Sequence, residues 1–311
     1  MTNTHKKQTP TLVSDTLTSP KTDTVSISSA SMLVELNISV WTGRKLDRKA
    51  SADVTTDNQA VSGVANVHKN LMAGSSLLKE IASIAGEARN GVHYHKTMPW
   101  SNTGIRLLPT ALYMGYHAGM TDLQDRFKDA VCEFITNYNA SITRAEHALG
   151  DMFDISDYPD ALDLASKFRF SFTYTPLPDA GDFRLDIQND AIDQIKTDYA
   201  EHYEKQIGTA MKDIWRKAYD ALTKMSERID YAGHEVKKVF RDSLVDNVTD
   251  MVEILELSNV TGDSQMSALA LTLDDALRGV TADALRQDPN LRKEVKKSVD
   301  SVIASLPSLE M

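Results

Sequence analysis

Residues 109–150 read PTALYMGYHAGMTDLQDRFKDAVCEFITNYNASITRAEHALG. Large apolar side chains recur in this stretch at spacings that alternate between three and four residues, which is typical of an amphipathic helix with a coiled-coil-like seam. The seam consists of Tyr113, Tyr116, Met120, Leu123, Phe127, Ala130 and Phe134, and it continues more loosely through Tyr138, Ala145 and Leu149. Pro109 suits the first helical turn and Gly150 suits the C-terminal cap. The pattern predicts one helix of up to about 40 residues, about 60 Å long.

A turn precedes this helix, between Met98 and Leu108. Its prolines and its Asn-Thr-Gly sequence disfavour a helix before Leu108. We interpret the following residues as a structural motif: Pro99, Trp100, Gly104, Arg106 and Pro109. Within it we expect the Arg106 guanidinium to stack on the Trp100 indole.

An acidic loop follows the helix, with an aspartate at every third position: Asp151, Asp154, Asp157 and Asp160. Calcium loops of the helix-loop-helix type carry carboxylates at alternate positions and a glycine at the sixth, and this stretch has neither feature. We therefore expect Asp157 to cap a short helix that begins at Tyr158-Pro159.

A β-hairpin is predicted at residues 167–187. Aromatic and polar residues alternate from Phe168 to Tyr174, as in a half-buried strand, and residues 183–187 alternate in the same way after a Pro- and Gly-containing turn. Residues 33–41 also read as a strand. Because three strands support one another better than two, we expect this strand to pair with the hairpin.

A second long helix is predicted to begin near Asn189. Its seam consists of Ile192, Ile195, Tyr199, Tyr203, Ile207, Ala210, Ile214, Ala218, Ala221, Met225 and Ile229. Each long helix alone would leave an apolar stripe exposed, so we expect the two to pack antiparallel. Further helices follow Gly233, and we interpret the basic run at residues 292–297 as a solvated helix face.

The predicted fold is mostly α with a small β element (α+β): a long antiparallel helical hairpin, coiled-coil-like, with a small antiparallel sheet. Residues 1–31 contain few large apolar groups and are expected to form a disordered tail. Residues 32–106 hold the N-terminal strand, a basic segment and a short helix that begins at Ser75 and stops at Gly91. Residues 107–232 form the long helical hairpin with its inserted β-hairpin, and residues 233–311 form a C-terminal helical region.

Composition limits the function. A net charge of −10 and a pI near 5.3 disfavour sequence-independent binding to a phosphate backbone. The single cysteine, Cys132, excludes an intrachain disulfide and a thiolate-rich metal site. No apolar run approaches the length of a membrane span, and no secretory signal opens the sequence. We therefore expect a soluble cytoplasmic protein with no membrane partner.

The densest basic cluster follows Trp41 and Gly43 and consists of Arg44, Lys45, Arg48 and Lys49. It can be a solvated turn, or it can contact a phosphate or an acidic partner beside Gly43. With Trp41 as a stacking group, the same cluster could hold a single-stranded nucleic acid.

His93 and His95 stand at alternate positions and could share a metal ion, but no Cys and no carboxylate at a recognised ligand spacing stands nearby. A loop packed by Tyr94 and Trp100 is the favoured interpretation. The sequence has no phosphate-binding Gly-rich loop and no nucleophile elbow. We predict no catalytic residues, no cofactor and no metal.

Several segments together resemble an uncharacterised family of tailed phages and phage-like regions of bacteria, described as domain of unknown function 3150. The resemblance covers nearly everything after residue 32. It rests on residues 36–46, 99–100, 104, 106–109, 149–159, 168–170, 176–178, 181–184, 240–244 and 259–263. The family carries no established activity. Its members are often encoded near AAA+ ATPases of the MoxR type and proteins with a von Willebrand A domain, which implies a shared assembly.

Three functional hypotheses follow. The first is a non-enzymatic phage accessory protein of the host cytoplasm, acting as an adaptor or substrate-presenting partner for such an ATPase module. The second is a nucleic-acid-associated protein of phage DNA replication or recombination, which the net charge disfavours. The third is a hydrolase or metal enzyme built on His93, His95 and the acidic loop. A homo-oligomer formed through exposed helical seams is an open alternative.

Overall fold

The computed structural model describes residues 27–178, 189–230 and 242–307 of the chain. It is mostly helical with a small antiparallel sheet, as the sequence predicts. The strands are β1 (Ser31–Ser39), β2 (Arg44–Asp47), β3 (Val67–Asn70), β4 (Met98–Pro99), β5 (Arg106–Pro109) and β6 (Arg169–Pro176). The helices are α1 (Ile27–Ala30), α2 (Arg48–Asp57), α3 (Leu77–Gly86), α4 (Tyr94–Lys96), α5 (Tyr113–Thr136), α6 (Tyr138–Leu149), α7 (Ala161–Ser166), α8 (Asn189–Ile229), α9 (Ser243–Leu257), α10 (Ser264–Leu277), α11 (Ala282–Gln287) and α12 (Pro289–Ser305).

The main sheet has the strand order β4-β5-β1-β6, with every neighbouring pair antiparallel. β1 lies at its centre, where Val34 is opposite Arg106 on one side and Tyr174 on the other. The predicted pairing between the first strand and residues 169–176 is therefore confirmed. The second strand of the predicted hairpin, at residues 183–187, lies outside the described residues. β2 and β3 form a separate two-stranded sheet.

A first hydrophobic core lies between one face of the main sheet and helices α3 and α5. The predicted seam of α5 is buried there at six positions: Tyr116, Met120, Leu123, Phe127, Ala130 and Phe134. Aromatic residues of β6 and of the position before it pack on the same helix, with the Phe127 and Phe170 rings 5.4 Å apart and the Phe134 and Phe168 rings 5.8 Å apart.

A second hydrophobic core is built by α8, α9, α10 and α12. The predicted seam of α8 supplies Tyr203, Ala210, Ile214, Ala218, Met225 and Ile229. Met98, Leu107 and Leu177 reach this core from the first part of the chain.

The predicted hairpin of the two long helices is not confirmed, because α5 and α8 bury their seams in different cores. The main sheet explains this arrangement. Successive strand residues point to opposite faces, so Leu108 enters the first core while its neighbour Leu107 enters the second. Val34 and Leu33 divide in the same way in β1. One face of the sheet therefore covers the seam of α5 and the other face covers the seam of α8, so neither seam has to be buried by the other long helix.

The helix boundaries near Pro109 and Asn137 correct the prediction of one uninterrupted helix. Pro109 ends β5 with ψ 136°, and a 3₁₀ turn at Thr110–Leu112 precedes α5. A residue before proline avoids the helical region, so Leu108 is extended and pairs with Met32. At Asn137 the backbone leaves the helical range, with φ −96° and ψ 11°, and this residue separates α5 from α6. Its N–H still donates to the Glu133 carbonyl at 3.0 Å, and its side chain donates to the same carbonyl at 2.9 Å. Gly150 follows α6 with φ +53°, as expected.

Other boundaries also differ from the predictions. The helix expected to stop at Gly91 continues as a π-helix over Glu87–His93. The predicted tail of residues 1–31 overlaps α1 and the first residue of β1, while residues 1–26 lie outside the described chain. The predicted boundary between residues 106 and 107 falls inside β5, and helices α9 to α12 of the predicted C-terminal region share one core with α8. Helix α11 was not predicted.

Candidate functional site

Residues 44–70, called here the β2–α2–β3 unit, form a small projection beside α3. Asp47 caps α2 by accepting a hydrogen bond from the Ala50 N–H at 2.9 Å. The Ser51 hydroxyl accepts from the Val67 N–H at 2.9 Å and so ties α2 to β3. Gly43 leads into the unit with φ +60°, and a Cβ built on it would lie 2.7 Å from Leu78 Cδ2, so a glycine is required at this join.

The acidic loop, residues 151–163, holds the β2–α2–β3 unit through Asp157. Lys69 Nζ lies 2.5 Å from Asp157 Oδ2, and both side chains are about nine-tenths buried. Lys69 also donates to the Met152 carbonyl at 2.9 Å. The hydrogen bond to Asp157 raises the pKa of Lys69, with desolvation acting in the opposite direction. Asp157 is therefore an anchor for the unit.

The helix cap predicted at Asp157 is wrong. Asp160 caps α7 by accepting from the Leu162 and Asp163 N–H groups, and Asp154 caps the 3₁₀ turn Ile155–Asp157. Both residues are aspartates in the position that precedes a helical turn, so the residue type was right and the register was three residues off.

The four basic side chains predicted as an interaction site, Arg44, Lys45, Arg48 and Lys49, are all exposed on β2 and the first turn of α2. Lys45 Nζ lies 3.9 Å from Asp157 Oδ1 but keeps 55% of its side chain exposed. Trp41 does not join them. Its ring is half-buried and lies 6.3 Å from each of the Phe134 and Tyr138 rings, so it packs on the first core instead of standing ready to stack on a base.

Exposed large apolar side chains concentrate on the unit and the acidic loop. Within the described part of the chain, those on these two segments are Leu46, Val54, Val61, Val64, Met152, Ile155 and Leu162, and those elsewhere are Tyr94, Met114, Tyr219 and Leu271. Val61 is 78% exposed and Leu162 is 86% exposed. Lys69 and Asp157 bring the two segments into contact, and we call the exposed sides of both segments together the distal surface.

The predicted structural motif lies at the junction of the two cores, with different contacts from those expected. The Arg106 guanidinium lies 5.0 Å from the centre of the Tyr94 ring, not on Trp100. Trp100 instead packs edge-on against Tyr203 of α8 at 5.4 Å. Gly104 has φ +93° in the turn between β4 and β5, and Pro99 and Pro109 lie in those strands.

A polar network joins these strands to α8. Arg106 donates to the Thr97 hydroxyl at 2.6 Å and to the Thr97 carbonyl at 2.8 Å. Lys217 donates to the Tyr94 and Thr97 carbonyls at 2.6 and 2.8 Å, and its Nζ lies 3.1 Å from Asp213 Oδ2. Burial lowers the pKa of Lys217, and Asp213 opposes that shift. We call these residues the junction network.

Sequence reasoning missed Asp213 and Lys217. Asp213 has Arg216 and Lys217 three and four positions further on, a spacing that indicates ion pairs on one helix face. The sequence alone shows that spacing. It does not show that Arg106 pairs with Asp213, because no local pattern predicts that β5 lies beside α8.

The two histidines of the third hypothesis have separate environments. His93 is buried, and its Nδ1 lies 2.7 Å from the Tyr116 hydroxyl. His95 lines a groove of about 350 Å³ between α8 and α9, together with Asp220, Lys224 and Asn247. Within residues 27–178, 189–230 and 242–307, no three His, Cys, Asp or Glu side chains come together as a metal site requires. The acidic loop is engaged with Lys69 instead.

The run at residues 292–297 is only partly the solvated face predicted. Arg292 is buried, and it donates to the Leu285 carbonyl at 2.8 Å, which fixes α12 against α11.

None of the helices described is both long enough and apolar enough to cross a membrane. Comparisons of the chain with protein-family models, with curated proteins and with solved structures give no match.

Proposed function

We propose that this protein is a non-enzymatic adaptor that binds a partner protein through the distal surface. The observation that carries the proposal is the concentration of exposed apolar side chains on the β2–α2–β3 unit and the acidic loop. Contiguous exposed apolar groups rimmed by charge are typical of protein interaction sites.

The partner proposed is a MoxR-type AAA+ ATPase, acting with a protein that has a von Willebrand A domain. This part rests on the resemblance of residues 36–46, 99–109 and the later segments to the uncharacterised phage family. On the same resemblance we propose that the protein acts in the cytoplasm of a phage-infected host. The adaptor would present the ATPase with a substrate or hold it in an assembly.

Purification of tagged protein from infected host cells tests this proposal. We expect the ATPase to be recovered with the wild-type protein and with Leu271→Asp, which changes a 61% exposed side chain on α10. Val61→Asp combined with Leu162→Asp should lose the ATPase, because both changes put charge into the apolar part of the interface. Recovery of the tagged protein alone, without any ATPase, would remove the proposal.

A nucleic-acid-associated role is the second candidate, and the four exposed basic side chains favour it. Binding to a phosphate backbone releases counterions and therefore weakens steeply with salt. If this role is correct, the protein binds single-stranded DNA with a salt-dependent affinity, and Arg44→Ala with Lys45→Ala weakens that binding. If the protein does not bind single-stranded DNA in this way, only the adaptor role remains.

A further inference from the structure

The four basic side chains of the distal surface, Arg44, Lys45, Arg48 and Lys49, are called the basic patch. They fall within six consecutive residues of a chain whose net charge is −10. All four are exposed. A local positive surface on an acidic protein attracts a partner at short range only, since the whole molecule repels anions at longer range.

The position of Arg48 and Lys49 adds to this observation. They are the first two residues of α2, where the helix dipole favours negative charge, and no acidic residue occupies that first turn. The cap by Asp47 supports the helix, but the two cations oppose it. The stability of α2 therefore does not account for two cations in its first turn. Residues that depart from such a local preference occur mainly at functional sites.

Apolar side chains accompany the patch. Leu46 lies between the two basic pairs in the sequence and is 40% exposed, and Val54 on α2 is 39% exposed. Thr55 is the buried residue of α2, and most of the other side chains of this helix are exposed. A ligand with both acidic and apolar groups matches this composition better than a purely anionic one.

The position of the acidic loop beside the basic patch favours a peptide over a nucleic acid as the ligand. Asp157 touches Lys45 and Lys69, so the carboxylates of residues 151–163 begin where the patch ends. A long polyanion that crosses the patch would meet these carboxylates, while a short acidic segment would not. Trp41, packed on Phe134 and Tyr138, offers no stacking platform.

We infer that the basic patch docks a short acidic amphipathic segment of the partner protein, with its carboxylates on Arg44, Arg48 and Lys49 and its apolar groups on Leu46 and Val54. The inference rests on the proposed adaptor function and names the chemistry of the partner at the same surface. It corresponds to recognition of an amphipathic helix through regularly spaced apolar anchors and a charged flank.

The test uses the full chain and a fluorescent synthetic peptide of about 18 residues, with leucines at helical i, i+3, i+4 and i+7 spacing and glutamates beside them. Two control peptides accompany it: one has the same composition in scrambled order, and one has glutamine in place of every glutamate. A single-stranded oligonucleotide is the third control. We expect saturable binding of the amphipathic acidic peptide, measured by fluorescence anisotropy, and much weaker binding of all three controls.

Charge reversal then locates the site. Arg48→Glu with Lys49→Glu should weaken peptide binding at least about tenfold, since two favourable charge contacts become repulsive. Lys79→Glu with Lys128→Glu makes the same change at exposed positions of α3 and α5 and should leave binding unchanged. Leu46→Ser with Val54→Ser should weaken binding, and Leu271→Ser should not. Because glutamate suits the first turn of a helix, the Arg48→Glu and Lys49→Glu protein should melt no lower than wild type.

Three results would overturn the inference: no saturable binding of the acidic amphipathic peptide, equal binding of the oligonucleotide, or equal losses from the patch variant and its Lys79 and Lys128 control. Self-association of the protein that disappears with Arg48→Glu and Lys49→Glu would assign the patch to a second copy instead. Recovery of the ATPase from infected cells by the Arg48→Glu and Lys49→Glu protein, together with its loss by Val61→Asp and Leu162→Asp, would reject the acidic segment and keep the adaptor function.

Discussion

Arg106 of β5 and Asp213 of α8 face each other across the junction of the two cores, with Arg106 Nη2 3.7 Å from Asp213 Oδ2. Asp213 is 7% exposed and also lies within ion-pair distance of Lys217. Its Oδ2 has no well-aligned hydrogen bond, so the cations hold it by charge. The main sheet and α8 are therefore joined by a buried carboxylate as well as by apolar contacts.

Asp213→Ala is predicted to lower the free energy of unfolding by about 2–4 kcal/mol, because Arg106 and Lys217 then stay at the junction without their carboxylate. Asp274→Ala is the matched control, since Asp274 pairs with Arg278 on the exposed face of α10. That change should cost no more than about 0.5 kcal/mol. Urea unfolding measures both, and equal losses would mean that the junction network contributes nothing special.

Stability is predicted to fall as the pH drops from 6.5 toward 4, because of His93. Burial lowers the pKa of His93 to about 4 from 6.5, with the charges of Arg106 and Lys217 acting in the same direction. Between these values the unfolded chain binds more protons than the folded chain, so acid favours unfolding. We expect this group to contribute about 2–3 kcal/mol of loss over that interval.

Unfolding in urea at pH 7 and pH 4.5 measures this dependence. His93→Gln should reduce the difference between the two pH values, although His95, whose pKa burial also lowers, retains part of it. His147→Gln, at an exposed position of α6, should leave the difference as in wild type. A His93→Gln protein with the full wild-type pH dependence would show that His93 is not the group responsible.

Truncation of Leu107 and truncation of its neighbour Leu108 are predicted to destabilise the protein equally, although the two side chains belong to different cores. Both are fully buried. Leu107→Ala and Leu108→Ala should each cost about 2–5 kcal/mol, whereas Leu46→Ala on the exposed strand β2 should cost under about 1 kcal/mol. If one of the two buried changes is as mild as Leu46→Ala, the sheet does not serve both cores.

Loss of the Lys69–Asp157 ion pair is predicted to loosen the β2–α2–β3 unit without unfolding the rest. Asp157→Asn removes the charge opposite Lys69, while Asp151→Asn changes an exposed carboxylate in the same loop. Hydrogen exchange should accelerate at the amides of residues 67–70 only in the first variant, since partly independent segments open locally. Unchanged exchange there would show that Asp157 does not anchor the unit.

The periodic parts of the chain could be predicted from sequence. The seams of α5 and α8 and the alternation of β1 and β6 follow from side-chain periodicity, which needs no knowledge of the partner element. What each stripe packs against could not be predicted. Two long seams indicated a hairpin, but Leu107 and Leu108 give the sheet two apolar faces, and that fact emerges only once β5 is known to be a strand.

The candidate sites were predicted unevenly for the same reason. The exposure of Arg44, Lys45, Arg48 and Lys49 was expected from their local density of charge. Trp41 could not be distinguished as a core residue, because its contacts with Phe134 and Tyr138 span about ninety positions of the chain. The local spacing of Asp213 and Lys217 indicates an ion pair, but their place at the junction depends on long-range contacts with residues 94–106.

Site-specific photocrosslinking in infected host cells detects whether the distal surface meets a partner protein. A photoreactive residue replaces Val61 in one protein and Leu271 in another, since both side chains are exposed and Val61 belongs to the β2–α2–β3 unit while Leu271 lies on α10. If the distal surface meets a partner protein, we expect a discrete crosslinked partner from position 61 and none from position 271. Crosslinking from position 271 alone, or none from position 61, would contradict it.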